Sequence, residues 1–234
     1  MAGHLTRKEL KSDQVAVTVE QTVEYVQAHR QLITRILIAV VALAIIIGGI
    51  SFYRTQQNDV RQARLAEGMR ITEAAVGPAA TPDALSFPTM EAKAAEENKV
   101  FSKLIADYPG SKEAYISEYY LGGVAASQAK MDEARRRYQD VIDHADKNTA
   151  SLAKFALAQI AVQENKSAEA EKLLRDLMDH PTDLVTREQA ILALADSIKS
   201  RNPAEARKLL EPLVKDNSQI AGAAARLLND IPKK

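Results

Sequence analysis

The sequence predicts an all-α protein: a single N-terminal transmembrane helix followed by an α-solenoid of repeated helix pairs. Two observations carry that expectation. Residues Ile36 to Tyr53 (ILIAVVALAIIIGGISFY) run for 18 positions without a charge. Further on, Glu133-Ala134, Glu169-Ala170 and Glu205-Ala206 recur at a constant spacing of 36 residues. A third observation is negative: no stretch shows the period-two alternation of apolar and polar residues that marks a half-buried strand.

The chain divides on these features into a tail over 1–31, a span over 32–54 and a repeat domain over 55–234. Residues 1–13 are polar and mixed in charge, a composition that favours disorder. From Thr18, a capping-box-like Thr18/Gln21 pair and Val19, Val23 and Val26 on one face predict a short amphipathic helix. No Pro or Gly separates it from the span, so it also reads as the first turns of the same helix. A helix as long as the uncharged run spans roughly 27 Å, against roughly 30 Å of bilayer hydrocarbon. A buried helix of a soluble domain would carry a polar stripe, which is missing here. A cleavable signal peptide is the other alternative, with Gly49 and Ser51 as small residues at a cleavage point. The run is longer than the usual signal core and starts late, at residue 36, which favours a retained anchor.

Helix-forming residues continue beyond Arg54 to about Val76, where Gly77-Pro78 stops them. Pro78, Pro82 and Pro88 make 77–90 a linker that cannot be helical throughout. The repeats follow: a partial unit at about 91–112, then 115–146, 151–182 and 186–216, with a capping helix over 219–229. In each full unit, Ala134, Ala170 or Ala206 is followed by a large residue at +4 (Tyr138, Leu174, Leu210) and an apolar one at +7 (Val141, Leu177, Leu213). That spacing places all three on one helix face. Upstream helices are expected at Tyr115–Ala129, Ser151–Gln163 and Thr186–Lys199. A large and a small residue sit together in the middle of each: Leu121-Gly122, Leu157-Ala158 and Leu192-Ala193.

This pairing resembles the tetratricopeptide repeat, although tryptophan is absent and the period is 36 rather than about 34. The resemblance extends to Phe101, Leu104 and Pro109, which look like the end of an earlier second helix. The first helices of such an array line a concave groove. By that resemblance Tyr119 and Phe155 face the groove, and Ile116, Gln159 and Gln163 line the same surface. Tyr115, Tyr119 and Tyr120 cluster on one helix, and two readings of them stand open: packing on the preceding repeat, or anchoring a partner peptide.

Composition narrows the function. Lys+Arg and Asp+Glu both number 31, so the basic excess of a nucleic-acid-binding domain is missing. With no cysteine, disulfides, thiolate catalysis and cysteine-ligated zinc are excluded. No phosphate loop, GxSxG or HExxH occurs. His144 and His180, each preceded by Asp, sit 36 residues apart in the last turns of second helices. There an imidazole suits the negative helix end, and further metal ligands are lacking. Arg135, Arg136 and Arg137 spread around a helix, so one is expected on an interior flank and two in solvent. Neither a metal, a cofactor nor a catalytic group is assigned.

Arginines flank the span on both sides, and the tail adds Arg7, Lys8 and Lys11, so charge leaves the orientation open. The layout as a whole covers roughly Val15 to Asp230: a short tail with an amphipathic stretch, one span, a proline-interrupted first repeat and a divergent repeat array. It resembles the ancillary SecYEG translocon subunit family. That resemblance implies a single-pass bacterial inner-membrane scaffold, not an enzyme, with a cytoplasmic N-terminus and a periplasmic repeat domain. The implied partners are proteins (translocon subunits, periplasmic chaperones or exported clients) and the bilayer around the span. A tetratricopeptide adaptor for envelope assembly or cell division is the alternative within binding proteins. A metal-dependent enzyme is a third class, disfavoured by the missing motifs.

Overall fold

The computed structural model of the protein describes residues 30–79, 81, 83–215 and 220–231. The chain divides into two compact units, Met1–Asp59 and Val60–Lys234. Helix α1 (Arg30–Glu73) contributes its residues up to Asp59 to the first unit and the remainder to the second. The expected amphipathic helix at Thr18 lies outside the described residues.

In the first unit α1 is long and apolar enough to cross a membrane, and none of its apolar window is buried against protein. Its flanking hydroxyls are satisfied within the helix. Thr34 Oγ1 donates to the Arg30 carbonyl at 2.8 Å, and Thr55 Oγ1 donates to that of Ser51 at 3.0 Å. A helix in hydrocarbon needs its polar groups closed internally in this way.

Among the described residues of the second unit, the regular structure is helical apart from one small parallel pair, β1 (Ala75–Val76) with β2 (Ser86–Phe87). This corrects the expectation of helix up to Val76. Pro78 would clash with the carbonyl of Ala74 if the helix ran through it. Gly77 instead turns at φ +105° and donates to the Phe87 carbonyl at 2.8 Å. The exposed end of α1 is closed by Lys93, whose Nζ donates to the carbonyls of Thr72 and Ala74.

Helix pairs follow: α2 (Met90–Asp107); α3 (Lys112–Ser127) with α4 (Met131–His144); α5 (Lys147–Gln163) with α6 (Ser167–Asp179); α7 (Arg187–Ile198) with α8 (Pro203–Lys215). Helix α9 (Ala221–Asp230) packs on the last pair through Ala224 and Leu227. Thr89, Ser111, Asp146 and Thr186 cap their helices by accepting a backbone N–H. Ser111 and Asp146 therefore start α3 and α5 three to four residues before the apolar pattern does.

The stripe at 0, +4 and +7 of each second helix forms the core. Ala134, Ala170 and Ala206 are each 0% exposed, and Tyr138, Leu174, Leu210, Val141, Leu177 and Leu213 are all buried. In the first helices the pairs Leu121-Gly122 and Leu157-Ala158 lie in the core as expected. The third does not: Leu194-Ala195 is buried and Leu192-Ala193 only half-buried. Leu192-Ala193 already falls one residue short of the 36-residue period, and the rest of the offset lies in the turns. Helices α3 and α5 end in Schellman motifs, with Ala129 and Asn165 left-handed at φ 59°. Lys130 and Lys166 then donate to the carbonyls five residues back, those of Ala125 and Ala161. Helix α7 stops earlier, and Arg201 and Asn202 both donate to the Ile198 carbonyl. Asn202 then accepts from the Glu205 N–H at the start of α8.

Close helix approach depends on two glycines. A Cβ at Gly68 would lie 2.4 Å from the Phe101 ring, and one at Gly122 would lie 2.6 Å from that of Tyr138. The left-handed alanine is a separate weakness. Residues other than Gly pay roughly 1–2 kcal/mol in that region, partly offset by the greater entropy of unfolded Gly. Ala129→Gly is expected to stabilise the repeat domain by up to about 1 kcal/mol, raising Tm by about 2–4 °C. Asn tolerates the conformation better, so Asn165→Gly should gain less. Thermal melts of the two variants check both the gain and the order.

Candidate protein-binding site

The face presented by the first helices of the pairs holds two joined clefts between α5 and α7. The larger, about 500 Å³, is lined by Leu152 and Phe155 of α5, Leu184 of the α6–α7 loop, Gln189 and Leu192 of α7, and Leu227 of α9. The smaller, about 270 Å³, is lined by Gln159, Val162 and Gln163 of α5 with Ser197 of α7. Ala193 and Asp196 line both, which makes one furrow of them.

Of the five expected groove residues, this furrow brings together Phe155, Gln159 and Gln163. Phe155 is half-buried and the two glutamines are exposed. Tyr119 lines a different cleft, between the first two repeats, and half-buried Ile116 lines none of these clefts. Sequence reasoning missed Leu152 and Val162, although their spacing from Phe155 puts them on the same side of α5. It also missed Leu184 and Leu227, which have no periodic signal linking them to α5. Val162 and Leu184 stay exposed despite their size. The furrow thus offers apolar seats for side chains, with glutamine amides beside them that both donate and accept hydrogen bonds.

The tyrosines divide by role. Tyr115 stacks on His144 at 6.2 Å, and Tyr120 stacks on Phe101 of the preceding repeat at 5.2 Å. Tyr119 packs at 5.7 Å against Tyr138 and at 5.7 Å, edge-on, against Tyr120. Burial raises the pKa of all three phenols in this cluster, and that of Tyr138 is pushed up to about 12. A group whose folded pKa exceeds its unfolded value stabilises fully below the unfolded value, and loses that contribution as pH rises through the folded one. Stability is therefore expected to fall between about pH 10 and about pH 12, and Tyr138→Phe should flatten that fall. Urea denaturation of both proteins across this range is the measurement.

His144 and His180 do not come together into a site. Each ring nitrogen Nδ1 lies within hydrogen-bond distance of the carbonyl four residues back, at Asp140 and Asp176. Among the described residues no group of three His, Asp or Glu side chains is placed to hold a metal ion. The arginine run corrects the expectation made for it: two of the three, Arg135 and Arg137, are half-buried and only Arg136 is exposed. Arg135 bridges α4 to Glu164 and Glu169, and Arg137 joins Glu118 of α3 to Glu133 of its own helix. Arg175 repeats the arrangement one unit on, reaching Glu205. The recurring Glu of the Glu-Ala motif thus receives an arginine from the preceding second helix at Glu169 and Glu205.

Paired helices stacked at a 36-residue period, with small residues at each crossing, define a repeat array. A family model described as a tetratricopeptide repeat-like domain matches residues 29–183. The chain belongs to that family. The match starts ahead of the apolar run, so in this tetratricopeptide repeat-like protein the apolar helix lies within the family pattern. Helices α7 to α9 lie beyond it. No curated protein and no solved structure matches the chain. Tetratricopeptide repeat-like domains generally bind proteins, and their fold is typical of non-enzymatic scaffolds.

Proposed function

We propose that the protein is a single-pass inner-membrane scaffold of a bacterium, held by Ile36–Tyr53 with its N-terminus in the cytoplasm. Its repeat domain stands in the periplasm beside the protein-export channel. There it receives exported polypeptides, or the chaperones that take them over, in the α5–α7 furrow. The observation that carries the reading is the joining, in one family-matched stretch, of an apolar helix with no buried window to the first repeats of an array whose later helices complete an open furrow. An anchored groove raises the effective concentration of whatever emerges at that membrane surface. The layout's likeness to ancillary translocon subunits supplies the address.

Photocrosslinking in intact membranes tests it. A photoreactive amino acid at Phe155 or Gln163 is expected to capture channel subunits, exported polypeptides or periplasmic chaperones. The same probe at Lys172, an exposed second-helix position, should not. Equal labelling from all three positions, or no export component among the adducts, would reject the translocon role. An export-dependent reporter fused after Lys234 reads the orientation independently: it should be active, and its silence would place the repeat domain in the cytoplasm.

A further inference from the structure

We propose that the cleft between the first two repeats is a seat for a lysine or arginine side chain of a bound polypeptide. This rests on the protein-binding reading above and specifies the chemistry of the partner.

The cleft measures about 500 Å³ and lies between α2, α3 and Tyr138 in the middle of α4, with Thr72 of α1 also on its lining. Its lining is unusual for a repeat interior. Glu97 of α2 is only 7% exposed, yet it makes no hydrogen bond or ion pair among the described residues. Its oxygens are not sealed from solvent, so the stem is buried while the carboxylate opens on the cleft. Three tyrosines, Tyr119, Tyr120 and Tyr138, line the same cleft. None of their hydroxyls is hydrogen-bonded within the described residues and none is sealed from solvent, so all three are open to a ligand. Lys93, also on the lining, donates its Nζ to the Thr72 and Ala74 carbonyls and makes no ion pair with Glu97. Glu91, also on the lining, adds a second carboxylate.

A carboxylate among aromatic rings is the chemistry that receives an organic cation. The rings attract its charge through their quadrupoles, and the carboxylate and phenol oxygens accept its N–H groups. The same repeat already uses this attraction internally, with the guanidinium groups of Arg61 and Arg64 over the Tyr108 ring at 5.9 Å and 5.4 Å. The long apolar stem of a lysine or arginine would lie along the tyrosine rings while its head reaches Glu97.

The full-length protein in neutral maltoside micelles provides the test. The probe is a fluorescein-labelled nonapeptide of alanine and serine carrying two lysines, and the comparison peptide replaces both lysines with norleucine. The lysine peptide is expected to bind saturably, and the norleucine peptide at least tenfold more weakly. Glu97→Gln should weaken the lysine peptide at least tenfold while leaving helicity unchanged and Tm equal or higher. Because the norleucine comparison leaves the protein untouched, it stands even if the variant folds poorly. Equal affinity for the two peptides, no binding of either, or unchanged binding by Glu97→Gln overturns the proposal. So does displacement of the peptide by tetramethylammonium chloride at lower concentration than by lysine amide, which would assign the cleft to small quaternary ammonium ligands. The Phe155 photocrosslinks, repeated on Glu97→Gln, separate the two readings. Persisting adducts without a lysine effect sink this inference alone, whereas their absence from the wild type sinks the reading beneath it.

Discussion

Replacing Gly122 with alanine is expected to destabilise the repeat domain by about 1–3 kcal/mol, the usual range for overpacking a core. The added methyl would stand 2.6 Å from Tyr138 Cε1 and 2.9 Å from two further ring carbons. The ring has little room to move, since Tyr138 is buried and Tyr119 packs against it. One repeat on, Ala158 and Leu174 occupy the corresponding places in a single buried cluster. The crossing of first and second helices is thus filled by Gly with Tyr in one unit and by Ala with Leu in the next. Tyr138→Leu alone should also destabilise, because it leaves a void beside Gly122. Together, Gly122→Ala and Tyr138→Leu recreate the pairing of the next repeat, so the double variant should be more stable than the summed single effects predict. Urea denaturation of the four proteins gives the coupling energy directly. Additive losses would mean that the two side chains do not share the space assigned to them.

The second large effect concerns the anchor. Arginines at both Leu43 and Ile46 place two charges at the middle of the apolar run. Each costs about 2.5–3.5 kcal/mol there on the insertion scale. The wild-type protein is expected to stay with membranes through alkaline carbonate extraction, and the double variant to leave them. Tm of the repeat domain should be unchanged, because the substituted residues belong to the first compact unit. Extraction of the wild type by carbonate, or a mature chain beginning just after Gly49 or Ser51, would show that the apolar helix is a removable signal rather than an anchor.

The candidate site was partly legible in advance. Phe155, Gln159 and Gln163 lie on one side of α5, and spacing along a single helix suffices to group them. Tyr119 was drawn into the same groove by analogy between repeats, but it lines a different cleft because its neighbours across the array are Glu97 and Tyr138. Leu192-Ala193 matches the earlier pairs in residue type but falls 35 residues beyond Leu157-Ala158, one short of the period, whereas the buried pair Leu194-Ala195 falls 37 beyond it. The Asn202 cap and the early stop of α7 shift that register, and neither perturbs the apolar pattern itself. The arginine run misled for a similar reason. Angular spread around α4 says where three side chains point, but not that Glu118, Glu164 and Glu169 on neighbouring helices wait for two of them.

By itself, the sequence determined the features written in one helix at a time: the apolar length of the anchor, the all-α class, the 36-residue repeat and the buried stripe of Ala134, Ala170 and Ala206. These follow from hydrophobic burial with helical periodicity, which acts over a few turns of chain. Only the tertiary structure decided which faces stay open. The furrow between α5 and α7 and the Glu97 cleft both depend on side chains from three or more helices meeting. That meeting is set by turn length, capping and the sizes of paired residues such as Gly122 and Tyr138, and it leaves no periodic trace in the chain.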